Sequence, residues 1–226
     1  MMNFADYNLK ENPFRIGPSL HSKEIIWAGF PILKKQIEDR ITIGIRTTPS
    51  KIILNWGRYG SGKTHAANYF TNTNRLTEIC NGLGAKPVKS IKINLPRTSK
   101  DPVQAFLRSF LGQINLLEIM SNFKAIKETI GGPALTELIN AVSSDSVIAQ
   151  IYEIITAANG AEELTSLEYY LFGDSTKATL TKLGLPSGLK DDEQVVNFLS
   201  TYVNVVTYNS NLYSAFILWI DEFEDY

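Results

Sequence analysis

The stretch Ile53–His65, ILNWGRYGSGKTH, joins an apolar segment to a glycine-rich turn and then to a helical pattern. Residues 57–64 within it fit the pattern G-x-x-x-x-G-K-[ST] without a mismatch. Glycines let the backbone turn so that successive N–H groups face phosphate oxygens, and the following helix adds its positive N-terminal end. The stretch predicts a phosphate-binding loop between a strand and a helix. A glycine-rich turn without a ligand is the alternative.

The residue types of this loop assign a chemical role to its end. The Lys63 ammonium can reach the β- and γ-phosphates of a nucleotide, and the Thr64 hydroxyl can be a ligand of Mg²⁺. His65 follows directly, and packing or a surface position is the favoured interpretation of its side chain. The predicted nucleotide-binding residues are Gly57, Arg58, Tyr59, Gly60, Ser61, Gly62, Lys63, Thr64 and His65.

A carboxylate cluster follows the last apolar run of the chain. Residues 216–220 read as a strand, and Asp221 and Glu222 come directly after it. A carboxylate at the tip of a strand beside the loop can hold Mg²⁺, which assigns Asp221 to the metal. A second carboxylate can polarise the attacking water, which predicts Glu222 as the catalytic base. The alternative is a solvated acidic strand end.

Composition limits the kinds of partner and compartment that we expect for the chain. The 226 residues carry 22 Lys and Arg against 23 Asp and Glu, so no overall basic charge supports nucleic-acid binding, and DNA remains an open possibility. The single cysteine, Cys80, cannot form an internal disulfide, and it reads as a packing residue. No apolar run approaches the roughly 18 residues of a membrane span. We therefore expect a cytoplasmic protein without a membrane partner.

The order of the patterns predicts an α/β fold: a P-loop NTPase parallel sheet with flanking helices and a large helical insertion. The expected parts are a lead-in and helix over 1–50, the nucleotide-binding core over 51–99, the helical insertion over 100–212, and the carboxylate-bearing strand over 213–226. The lead-in helix is expected from Ser22, with a kink or break at Pro31. Strands are expected at 51–56 and around 88–93, and Asp101 is expected to cap one helix that runs to Met120.

Several further residues have two interpretations. Asn94 could orient a water or the γ-phosphate, or simply end its strand. Arg97 could sense phosphate or be a solvated loop residue. Phe14, Ile16 and Trp27 could form the apolar side of an adenine pocket, or belong to the core.

The two nucleotide motifs also carry a family resemblance. GRYGSGKTH with the distant LWIDEFED resembles the AAA+ superfamily, within it the origin-recognition-like P-loop ATPases, and is similar to ATP-binding proteins of prokaryotic phage-defence (BREX-type) and transposition systems. The resemblance implies ATP, Mg²⁺, and a protein partner or homo-oligomer, in a setting often linked to DNA. It gives Lys63 and Thr64 the Walker A roles and Asp221 and Glu222 the Walker B roles.

The resemblance also implies elements that follow the Walker B strand: a strand with a sensor residue, arginine fingers and a helical lid. Only five residues follow Asp221. We therefore expect the chain to be the N-terminal portion of a longer protein.

Three functions are consistent with these patterns. The leading hypothesis is an ATPase module that drives assembly or remodelling in a larger system. The second is a nucleotide-gated interaction module with little turnover. The third is a small-molecule phosphotransferase, against which Glu222 and the long helical insertion argue.

Overall fold

The computed structural model describes residues 25–48, 50–58, 60–94, 101–174, 176–186, 189 and 191–221. For Asn94 only the backbone is described. The predictions made for Ser22, Phe14, Ile16, Tyr59, Arg97 and Glu222 lie outside the described residues.

The described chain is mostly helical and contains a small parallel sheet of two strands. The strands are β1 (Val88–Asn94) and β2 (Ala215–Asp221), paired from Val88 with Ala215 to Asn94 with Asp221. Both were predicted from their apolar patterns. The helices are α1 (Pro31–Arg46), α2 (Lys63–Asn72), α3 (Arg75–Leu83), α4 (Pro102–Gln113), α5 (Leu116–Ile130), α6 (Gly132–Val142), α7 (Ser146–Ala157), α8 (Ala161–Leu171), α9 (Lys177–Leu183) and α10 (Asp192–Thr207).

Helices cover both faces of the sheet. On one face, buried residues of α1, α2 and α3 pack with Ile217 and Trp219 of β2. On the other face, Ile91 and Ile93 of β1 belong to the large core formed by α4 to α10. Because side chains alternate along a strand, each strand supplies both cores at once. The helix–sheet–helix arrangement confirms the coarse α/β prediction.

Helices α4 to α10 lie within residues 100–212, where helical patterns were predicted, but the first predicted helix differs from the structure. Asp101 is the N-cap of α4, and its carboxylate accepts a hydrogen bond from the Gln104 amide at 3.0 Å. The single helix expected from 101 to 120 is wrong, because α4 ends at Gln113 and a second helix begins at Leu116. The Asn115 side chain caps this second helix by accepting from the Glu118 amide at 2.8 Å.

The lead-in helix begins later than expected. Residues 25–30 are not helical, and Pro31 lies in the first turn of α1 rather than at a kink. Proline suits that position because the first amides of a helix have no intrahelical acceptor. The predicted apolar spacing holds farther on, where Ile37 and Ile41 are buried.

The buried strand expected at 51–56 is wrong. The segment forms no strand, and Ile52, Leu54 and Trp56 are 99%, 78% and 91% exposed. A strand needs a neighbour for its backbone hydrogen bonds, and within the described residues the sheet pairs only β1 with β2. β-Branched composition alone therefore did not determine the conformation.

No helix in the described part of the chain is long and apolar enough to cross a membrane.

Candidate functional site

The glycine-rich loop is a tight turn into α2. Gly60 and Gly62 have φ angles of +77° and +87°, a region that glycine occupies without steric cost. A Cβ on Gly57 would come within 2.7 Å of the Ser61 hydroxyl. The loop conformation therefore requires glycine at positions 60 and 62, while a side chain at position 57 would need the Ser61 hydroxyl to move.

The start of α2 has the properties of an anion-binding site. The Ala66 amide donates to the Gly62 carbonyl at 2.9 Å as the helix begins. The first N–H groups of an α-helix have no acceptor within the helix, and the helix dipole places positive charge there. This end of the helix favours a phosphate group.

Lys63 extends back across the loop from the first position of α2. Its ammonium donates to the Gly57 carbonyl at 2.8 Å, at the opposite end of the motif. The side chain is half-buried, whereas Thr64 and Arg58 are exposed. The loop therefore has an ammonium group within it and a hydroxyl group at its exposed edge.

Helix α2 contacts both strands of the sheet. Phe70 stacks on Trp219, with ring centroids 5.7 Å apart and an interplanar angle of 6°. Asn68, earlier in α2, accepts a hydrogen bond from the Lys92 ammonium at 3.2 Å, and that ammonium lies 3.0 Å from Asp221. Phe70 and Asn68 of α2 thus contact the sheet at Trp219 and Lys92, which are partners in the strand register.

The loop precedes the part of α2 that contacts Lys92. Thr64 precedes Asn68 by about one helical turn, or about 6 Å along the axis. Asn68 is already coupled to Asp221 through Lys92. The loop thus ends about one helical turn before a residue that is linked to Asp221.

Asp221 forms an ion pair at the end of β2. Its Oδ2 atom lies 3.0 Å from the Lys92 ammonium, and the two side chains are only 12% and 16% exposed. A nearby ammonium offsets the cost of removing the carboxylate from water. The ion pair therefore links the end of β2 to Lys92 of β1.

The described residues fit a phosphate-bound Mg²⁺. Thr64 carries a hydroxyl and Asp221 a carboxylate, which are oxygen donors of the kind that Mg²⁺ binds, and the loop carries an ammonium and backbone N–H groups. No group of three or more His, Cys, Asp and Glu side chains in the described chain could hold a metal by itself. Mg²⁺ commonly uses one or two protein oxygens together with substrate phosphates, which matches this donor set.

His65 and Trp27 connect the lead-in segment to α2. The His65 imidazole is hydrogen-bonded to the Ile26 carbonyl at 3.0 Å. The Trp27 ring packs against Tyr69 and Phe70, with centroid distances of 5.3 and 6.0 Å. These contacts give both residues a packing role, which was the alternative to a nucleotide contact.

The two other ambiguous residues within the described chain lie at β1 and in α3. Asn94 is the last residue of β1 and pairs in register with Asp221. Cys80 is buried in α3, and burial raises the pKa of its thiol. A raised pKa disfavours the reactive thiolate, in agreement with the packing role predicted for Cys80.

Sequence reasoning did not single out Lys92 or Asn68. The alternation of side chains along a strand indicates which face of β1 Lys92 occupies, because Lys92 lies two residues from Ser90 and shares its face. The Ser90 hydroxyl accepts from the Trp219 indole at 2.9 Å, so this is the face that α2 covers. The contact of Lys92 with Asn68 depends on tertiary packing and has no local sequence signature.

No family model matches the chain, and neither a curated protein nor a solved structure matches it. A functional proposal therefore rests on the loop, the sheet edge and their chemistry.

Proposed function

We propose that the chain binds Mg-ATP at residues 57–64 and hydrolyses it as a P-loop ATPase module. The observation that carries the proposal is the loop conformation, in which Lys63 at the start of α2 donates back to the Gly57 carbonyl at 2.8 Å. Asn68 of the same helix is linked to Asp221 through Lys92. The choice of ATP among nucleotides follows the AAA+ resemblance.

The loop residues bind and orient the phosphates in this proposal. The first amides of α2 donate to phosphate oxygens. The Lys63 ammonium releases its hydrogen bond to the Gly57 carbonyl and donates to a phosphate oxygen instead. Thr64 and Asp221 supply the oxygens that hold Mg²⁺. When bound, the ion neutralises negative charge on the phosphate oxygens. Glu222 orients and deprotonates the attacking water.

In this proposal, ATP hydrolysis at the site drives assembly or remodelling in a larger system. The resemblance favours a protein partner or a second copy of the chain, in a DNA-linked defence or transposition setting. The net charge of −1 gives no independent support for DNA.

A nucleotide-gated interaction module is the second candidate. The specific observation in its favour is that Asp221 is already paired with an ammonium at 3.0 Å. A carboxylate engaged in this way is less available to a metal, which favours binding with slow turnover.

Binding and turnover of ATP by the full chain test the proposal. Lys63→Ala is expected to weaken ATP binding by about 10- to 100-fold, because a charged hydrogen-bond donor to phosphate is lost. Lys35→Ala is the matched control, since that lysine side chain is 75% exposed on α1. Equal affinity of Lys63→Ala and wild type in equilibrium dialysis would contradict a nucleotide site at the loop.

Measurement of phosphate release distinguishes the candidate functions. Glu222→Gln is expected to bind ATP and release no phosphate, while wild type releases phosphate. Equal phosphate release by Glu222→Gln and wild type would remove the general-base assignment. Saturable binding with no turnover in wild type would favour the interaction module, and release that requires a small acceptor would favour a phosphotransferase.

A further inference from the structure

Lys92 occupies an unusual place for a charged residue. It lies in the interior of β1, and its side chain is only 16% exposed on the face that α2 covers. The apolar residues Val88, Ile217 and Trp219 pack on this same face. An apolar side chain would suit such a position better than an ammonium, unless the charge has a specific partner.

The ammonium contacts both halves of the proposed nucleotide site. It donates to the Asn68 side chain of α2 at 3.2 Å and pairs with Asp221 Oδ2 at 3.0 Å. One cation thereby joins the helix that begins at the phosphate loop to the carboxylate assigned to Mg²⁺. The ion pair orients the carboxylate towards Lys92.

We propose that Lys92 is a positioning residue that also competes with Mg²⁺ for Asp221, and so sets the Mg²⁺ concentration at which nucleotide binds. This inference rests on the proposed function. The ammonium stabilises Asp221 when no metal is bound. It also reduces the negative potential that a divalent cation meets at the same carboxylate. Removal of the positive charge therefore makes the site bind Mg²⁺ more tightly.

The test is a Mg²⁺ titration of a fluorescent ATP analogue bound to the full chain, after removal of divalent ions. Lys92→Gln removes the charge and keeps an amide that can donate to Asp221. Lys92→Met removes the charge with a side chain that packs among apolar neighbours, so one of the two neutral variants is available if the other does not fold. We expect the Mg²⁺ midpoint of a folded neutral variant to fall by on the order of tenfold.

Two controls separate charge from general structure. Lys92→Arg keeps the charge, and its midpoint is expected within about twofold of wild type. Lys89→Gln removes a lysine from the same strand, where it pairs with Glu118 of α5, and is also expected within about twofold.

A midpoint that is unchanged or raised in the neutral variants would overturn the role of Lys92. Failure of the wild-type chain to bind the analogue at any Mg²⁺ concentration would instead overturn the proposed function. The two failures are therefore distinguishable in the same experiment.

Discussion

Replacement of Phe70 by alanine tests how α2 is held on the sheet. Phe70 is fully buried, stacks on Trp219 at 5.7 Å, and makes an edge contact with Tyr69 at 5.2 Å. Phe→Ala in such a site removes the buried ring and leaves a cavity, which costs about 3–5 kcal/mol of unfolding free energy. For a chain of this size each kcal/mol lowers Tm by about 2–4 °C, so we expect Tm to fall by about 6–20 °C.

The assay is thermal unfolding of the full chain followed by far-ultraviolet circular dichroism. Tyr169→Ala is the control, because Tyr169 is 55% exposed on α8 and its removal should change stability by only about 0.5 kcal/mol. Phe70→Leu keeps most of the buried volume and should cost about 1 kcal/mol. Equal melting temperatures for Phe70→Ala and Tyr169→Ala would refute the packing of α2 on β2.

Two further predictions concern structural hydrogen bonds. Tyr152→Phe should lower the unfolding free energy by about 1–2 kcal/mol, because the buried Tyr152 hydroxyl donates to the Phe198 carbonyl at 2.6 Å. Urea denaturation measures this difference, and an unchanged unfolding free energy would show that the bond is not formed. Hydrogen bonds from Arg75 hold the pKa of Glu38 below its ordinary value of 4.5, so the pair contributes stability above that pH and loses it as pH falls through the lowered pKa. The stability difference between wild type and Glu38→Gln should therefore be full at pH 7 and shrink below pH 4.5, and a difference that does not change with pH would contradict this.

Local signals predicted the elements that depend on local chemistry. Asp101 followed by Pro102 marked the start of α4, and its carboxylate does accept the capping bond at 3.0 Å. The apolar alternation of residues 88–94 and the apolar run before Asp221 marked the two strands. Caps and alternation act over a few residues, so a single sequence contains them.

Elements that depend on distant partners were not predictable in the same way. Residues 51–56 have a strand-like composition, but no neighbouring strand pairs with them among the described residues. The contact of Lys92 with Asn68 and Asp221 joins three separate elements. The phosphate-binding motif is a local pattern, whereas the contacts of α2 with Trp219 and Lys92 depend on tertiary packing.

The most direct test of the central claim is the stoichiometry of ATP binding to the wild-type chain. Equilibrium dialysis with labelled ATP in excess Mg²⁺ measures it without any assumption about turnover. The loop and Asp221 predict saturable binding of one ATP per chain, with loss of binding when Mg²⁺ is chelated. Absence of saturable binding at millimolar ATP would contradict the assignment of residues 57–64 as a nucleotide site.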